Sequence, residues 1–375
     1  MKRILCTLFC VSLLSFPLSG EFLPAAVLNS AGAAAPDNAS TVYDGVTLTE
    51  DMTWRGTVLV KGFVVVPPQT TLRIEPGAVV RFISRPGQTA AARLIVQGRL
   101  QAVGTAAAPI LMTSGRSAVA PGDWGGISFA STEKRNIMEY CRIENADSGI
   151  DLRFSSITLK AVSISKSRAA LRSHDSLVQM TGCTFEDLET GIEAHDSEFD
   201  LRDSTIANCR QGVVMNRSFV GISSVTIKGN ALYGLLAEEC RLKISSGEIS
   251  ENGIGARFKG GEGNIQMTRF IKNRETALHL SGSRIKVQRS LFADNSGDAV
   301  RLEDGRSLLA GNAFISNRGF NIYNAGREDA NALLNWWGGT DPSAIAAKIH
   351  DAATDKNSGT LQLFPWLTEK PPLMP

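Results

Sequence analysis

The chain has 375 residues, 43% of them hydrophobic and 7% aromatic, which is enough apolar material for a packed core and excludes a wholly disordered protein. Thirty-nine basic residues face 37 acidic ones, so no field of one sign is available to hold nucleic acid or an anionic bilayer.

The chain opens on the basic pair Lys2-Arg3, followed by an apolar run from Ile4 to Phe16 that ends at Pro17. That run is too short to span a bilayer and has the layout of an export signal. Cleavage after Ala33-Ala34-Ala35 assigns residues 1–35 to the signal, with an earlier site near Gly20 as the alternative. Neither Cys6 nor Cys10 has the Leu-small-small-Cys setting of a lipid anchor, and no later segment is apolar enough to cross a membrane. The expected destination is the periplasm, the cell surface or the exterior.

Beyond the signal the chain repeats itself. Asn145, Lys166, Asp187, Asn208, Asn230, Asn252, Asn273, Asn295 and Asn317 follow one another at a nearly even interval of about 22 residues, sometimes one fewer. Before this column runs an apolar one, Ile143, Ile164, Phe185, Ile206, Ile227, Ile249, Phe270, Phe292 and Phe314; after it come small-aliphatic pairs such as Gly149-Ile150 and Gly212-Val213. Phe270, Phe292 and Phe314 are expected to stack. A third alternating set, such as Phe199-Leu201 and Leu242-Ile244, completes three short strands per repeat with no amphipathic helix between them. That pattern predicts an all-β, right-handed parallel β-helix, a solenoid with coils of about 22 residues or one fewer. Residues 36–130 form its N-terminal coils, 131–325 its regular coils and 326–375 a closing cap with a short helix from Ser343 to Ile349. Stacked side-chain amides give the asparagine column a structural reading, as a ladder of Asn145, Asn208, Asn230, Asn252, Asn273, Asn295 and Asn317. Cys141 and Cys183 fall two coils apart, roughly 9 to 10 Å at strand spacing, beyond the reach of a disulfide.

The segments TWRGTVLVKGFVVVPPQTTLRIEPGAVVRF, LIVQGRLQAVGTAAAPILMTS and PGDWGGISF, and the ending NWWGGTDPSAIAAKIHDAATDKNSG with LFPWL, resemble bacterial right-handed β-helix repeat proteins of the pectate-lyase-like superfamily. The resemblance covers nearly all of the chain after the signal. It implies the fold and leaves activity open, because the superfamily holds lyases, galacturonases, epimerases and surface proteins without known chemistry.

Galacturonase-type hydrolysis needs clustered aspartates with a histidine and a basic motif; Arg284-Ile285-Lys286 imitates only the last, on an ordinary strand. Lyase chemistry needs calcium-binding carboxylates with a basic residue, and the stretch from Glu186 to Asp203 is rich in acid. When the coils are set in register, however, Asp151, Arg172 and Glu193 stack, as do Asp147, Arg168, Glu189 and Arg210, so opposite charges alternate from coil to coil. The remaining oddity is His174-Asp175-Ser176 repeated as His195-Asp196-Ser197. His174, Asp175, His195 and Asp196 could together hold a divalent metal if their donor atoms converge, or be plain turn residues. Trp336, Trp337 and Trp366 close the cap or form a sugar-stacking platform.

No complete catalytic constellation rises above the repeat. The residues point to an exported, non-catalytic β-helix that binds carbohydrate or a cell-surface protein and needs no cofactor. The alternative is a polysaccharide lyase, hydrolase or epimerase acting on uronic-acid glycans, with calcium entering only in that case.

Overall fold

The computed structural model describes residues 40–84, 91–132 and 134–372; the expected export signal and its cleavage site lie outside them. The chain winds as a right-handed parallel β-helix of about 13 turns. Each regular coil places one strand in each of three columns. The coil after Tyr140 shows the pattern: Cys141–Glu144, then Ala146–Arg153, then Ser156–Lys160. Strands of the first two columns share a 25-stranded sheet, and the third column is a separate 14-stranded sheet. The strands pair in parallel, with coil-to-coil partners such as Ile164↔Phe185, Arg172↔Glu193 and Val178↔Phe199.

Alternation decides which side chains fill the interior. In Phe219–Ser223, Val220 and Ile222 point in while Phe219, Gly221 and Ser223 point out, as a period of two requires. The inward residues form one continuous core. Phe270, Phe292 and Phe314 stack at centroid spacings of 4.8 and 5.1 Å, and Trp337 continues the column at 4.8 Å. Each such ring contributes about 2 to 3 kcal/mol by leaving water.

Three bends per coil turn the chain, and the regular ones are made by a residue with positive φ followed by a buried one. Between the first and second columns the positive-φ residues are Asn145, Lys166, Asp187, Asn208, Gly229, Glu251, Lys272, Asp294 and Ser316. The residues after them, Ala146, Ser167, Leu188, Cys209, Asn230, Asn252, Asn273, Asn295 and Asn317, form the inner column. The amide column expected from sequence therefore joins two columns one residue out of phase. Asn145 and Asn208 sit at the outer bend positions and do not belong to the ladder; the backbone N–H of Cys209, not of Asn208, donates to Asn230 Oδ1 (3.0 Å).

From Asn230 onward the ladder is continuous. Asn230, Asn252, Asn273 and Asn295 each donate Nδ2–H to the Oδ1 of the next, at 2.8, 3.2, 3.1 and 2.8 Å. The same oxygens accept the backbone N–H of the preceding asparagine. A second, shorter ladder joins Asn312 Nδ2 to Asn335 Oδ1 (3.0 Å) at the bend between the third and first columns.

The closing segment differs from expectation. The helix runs Pro342–Ala346, capped by Asp341, whose carboxylate accepts from the N–H groups of Ser343 and Ala344. It does not extend to Ile349, because Ile349 and His350 form a strand paired with Ile322 and Tyr323. Leu361–Gln362 likewise pairs with Ala330–Asn331, so both sheets continue past residue 325. Among the described residues no helix is long and apolar enough to cross a membrane. Cys141, Cys183, Cys209 and Cys240 are buried free thiols.

Candidate functional site

The repeated His-Asp-Ser sequence builds the bend between the second and third columns. Asp175 and Asp196 take the positive-φ position, with Phe154 and Arg217 at the same place one coil before and after. The serines behind them form a buried relay. The N–H groups of Ser155, Ser176 and Ser197 donate to Ser176, Ser197 and Ser218 Oγ at 3.1, 3.2 and 3.1 Å, and each of these hydroxyls donates to the carbonyl two residues back. Bend and relay account for the repetition without a ligand.

His174 and His195 stand in register, with ring centroids 6.4 Å apart. Their partners diverge: His174 Nδ1 lies 2.6 Å from Asp175 Oδ2, whereas His195 Nε2 lies 3.6 Å from Glu193 Oε1. Asp196 is clamped by Arg217 at 2.8 and 2.6 Å, and the hydrogen bonds from that guanidinium hold its carboxyl below the usual carboxylate range. Among the described residues no group of three or more His, Cys, Asp or Glu side chains converges as a metal site. The acidic run 186–203 is dispersed for a geometric reason, since one coil carries contiguous residues around the whole perimeter. Asp187, Asp196 and Asp203 occupy three different bends.

The charge ladder forms along a diagonal. Asp147 receives both Arg168 (3.1 Å) and Arg172 (3.2 Å), and Arg172 reaches Glu193 (3.4 Å). Asp151, although in register with Arg172, pairs instead with Arg153 at 3.7 Å. No ion pair joins Glu189 to Arg210 among the described residues. These side chains are well exposed, so each pair contributes only about 0 to 1 kcal/mol.

A different constellation lies further along the second column. Arg257, His279, Arg301, Tyr323 and His350 are successive outward partners. His279 is almost covered, its side chain 9% exposed, and its Nε2 lies 2.7 Å from Glu303 Oε1. Glu303 Oε2 accepts from Ser281 Oγ at 2.6 Å. Burial pushes the imidazole below its ordinary pKa, partly offset by Glu303, while the Ser281 hydrogen bond and then His279 hold Glu303 below the ordinary glutamate value. At neutral pH the imidazole is neutral and the carboxylate ionised, so Nε2–H donates.

The two arginines flanking His279 have no hydrogen bond or ion pair among the described residues. Arg257 Nε is buried without a partner. Arg301 rests its guanidinium on the Tyr323 ring, 4.4 Å from the centroid, and that ring stacks on His350 at 4.0 Å. His279 was not among the candidate residues picked out from the sequence. Extending the coil-to-coil columns past residue 250 would have set it between two arginines.

Comparison with known proteins agrees with the architecture. A pectate-lyase like β-helix domain model matches residues 41–151, and a right handed β-helix region model matches 117–239 and 220–335. No curated protein sequence matches. Among solved structures, the periplasmic alginate epimerase AlgG is similar at 14% identity, over 83% of this chain and 74% of that one, with a TM-score of 0.46. The A-module of the Azotobacter vinelandii mannuronan C-5 epimerase AlgE6 is similar at 14% identity, over 76% and 90%, with a TM-score of 0.36. The GH136 lacto-N-biosidase from Eubacterium ramulus is similar at 10% identity, over 74% and 62%, with a TM-score of 0.33. These likenesses concern the fold alone. The family matches run from residue 41 to residue 335, and the chain belongs to the right-handed β-helix family.

Proposed function

We propose that this chain is an exported, non-catalytic β-helix that binds an acidic polysaccharide along the outward face of its second column. The observation that carries the reading is the pair of guanidinium groups on either side of His279, Arg257 and Arg301, neither of which makes a hydrogen bond or close ion pair among the described residues, although Arg257 feels the charges of Glu238 and Glu303. A guanidinium fork matches a carboxylate in two parallel hydrogen bonds. Two coils separate the forks by about 9.6 Å, a distance spanned by two sugar rings of an extended chain. Export is supported by the Lys2-Arg3 and Ile4–Phe16 layout. The covered ring of His279 supports binding over catalysis, since it orients Glu303 rather than facing a substrate.

One observation favours the alternative of lyase or epimerase chemistry on the same glycans: a neutral imidazole bonded to an ionised carboxylate beside two guanidinium groups is able to relay a proton. Calorimetric titration with hexamers of galacturonate and mannuronate tests the binding reading. Arg257→Gln and Arg301→Gln are each expected to weaken binding at least tenfold, and unchanged affinity in both overturns it. Unsaturated-product absorbance and new reducing ends, followed on the same polymers with and without calcium, decide for catalysis if either appears.

A further inference from the structure

The third column carries an open groove of about 660 Å³ on the 14-stranded sheet. Its origin is one residue. Asp200, Gly221 and Lys243 are successive outward partners, and at Gly221 the row of side chains is missing. Glycine weakens a strand interior and needs a reason. Gly221 does not take a positive φ. A Cβ there would lie 3.6 Å from Phe199 O and 3.8 Å from Asp200 Oδ1, an ordinary contact. Neither backbone conformation nor crowding calls for glycine here; what its absence of a side chain provides is room.

The walls of that room have complementary character. On one side stands Phe219, 55% exposed, with the Arg241 guanidinium 5.6 Å from its ring centroid. On the other, Ser223 and Ser245 bring their hydroxyls within 3.4 Å of each other. Asp200 is held by Arg202 in two hydrogen bonds of 2.9 and 2.8 Å, and Arg241 is paired with Glu262 at 3.1 Å. Across the gap, Lys243 has no hydrogen bond or ion pair among the described residues. An aromatic face, a fixed carboxylate acceptor, an ammonium donor and two hydroxyls surround a volume within the range of small-ligand pockets. With Asp200 paired to Arg202 and Arg241 to Glu262, the lining charges left without an ion pair are Glu198 and Lys243, one of each sign, so the groove has no net charge with which to hold an ionic ligand.

We propose that the Gly221 groove binds a neutral hexopyranose unit of a glycan chain. The C–H face of the ring lies on Phe219, and its hydroxyls donate to Asp200 and accept from Lys243. The groove lies on a different sheet from Arg257 and Arg301 and does not depend on them.

Titration calorimetry with cellohexaose, mannohexaose and maltohexaose tests the proposal on the exported chain. At least one is expected to bind at one site per chain. Gly221→Gln fills the groove and Phe219→Ala removes the platform; each is expected to weaken binding at least tenfold. Should Gly221→Gln fail to fold, Phe219→Ala, at an exposed position, decides. Absence of binding to all three hexasaccharides, affinity that survives these substitutions, or a groove that takes only a uronate hexamer would each overturn the assignment.

Discussion

His279 couples the candidate site to pH. Its pKa in the folded chain lies below the ordinary histidine value of about 6.5, so the unfolded chain binds the proton more readily. The stability due to the neutral ring is complete above that ordinary value and is lost as pH falls through the folded value. Glu303, also depressed, acts in the same direction at lower pH, through the carboxylate range. Thermal unfolding followed by circular dichroism is expected to show a melting temperature that falls between pH 7.5 and 5. His279→Gln is expected to flatten the upper part of that fall, whereas a melting temperature that rises toward pH 5.5 would show the ring to be charged when folded. The row Arg257, His279 and Arg301 shows in the sequence only once the coil-to-coil columns are carried past residue 250, because the three lie a full coil apart along the chain and meet only when the coils are stacked in register. His174 and His195 stood out for the opposite reason: their repetition reflects the serine relay and the bend behind them.

The amide ladder is the element where position outweighs residue type. Asn273 is buried and bonded to Asn252, to Asn295 and to the Ile249 carbonyl. Asn273→Ala strands several of these groups away from water, so a loss of about 3 kcal/mol is expected by urea unfolding. Asn208→Ala, at an outer bend with φ 55°, is expected to cost only about 1 kcal/mol, the penalty of a left-handed backbone for a residue with a Cβ. Equal losses would place both asparagines in one ladder. At the charged diagonal, Arg172→Glu sets a third carboxylate beside Asp147 and Glu193, and the melting temperature is expected to drop; a rise would contradict the pairing. The period of the coils was plain in the sequence, but the phase of the ladder was not. Asparagine suits both the positive-φ bend and the buried position after it. Coil lengths that differ by a single residue therefore let Asn208 pass for the predecessor of Asn230, a place that belongs to Cys209.

At the scale of the molecule, the backbone of each regular coil pairs only with the coils beside it, and few side chains, such as Arg274 on the Asn230 and Ala231 carbonyls, reach a coil further, so stability is close to a sum of coil and interface contributions. Removing residues 273–294, one complete coil, joins Lys272 to Asn295 and returns both bend and ladder to register. That deletion is expected to give a folded, shorter solenoid with a smaller urea m-value, whereas a deletion one residue shorter turns the following strand inside out and is expected to prevent folding. The same absence of long-range ties bears on the four buried cysteines. Burial raises the thiol pKa to about 12 at Cys141 and Cys209 and to about 11 at Cys183, and also upward at Cys240, so none carries reactive thiolate while its coil is closed. They occupy all three corners of the coils between residues 141 and 240, and the order in which an aromatic disulfide reagent consumes them is a clock for which coils fray first.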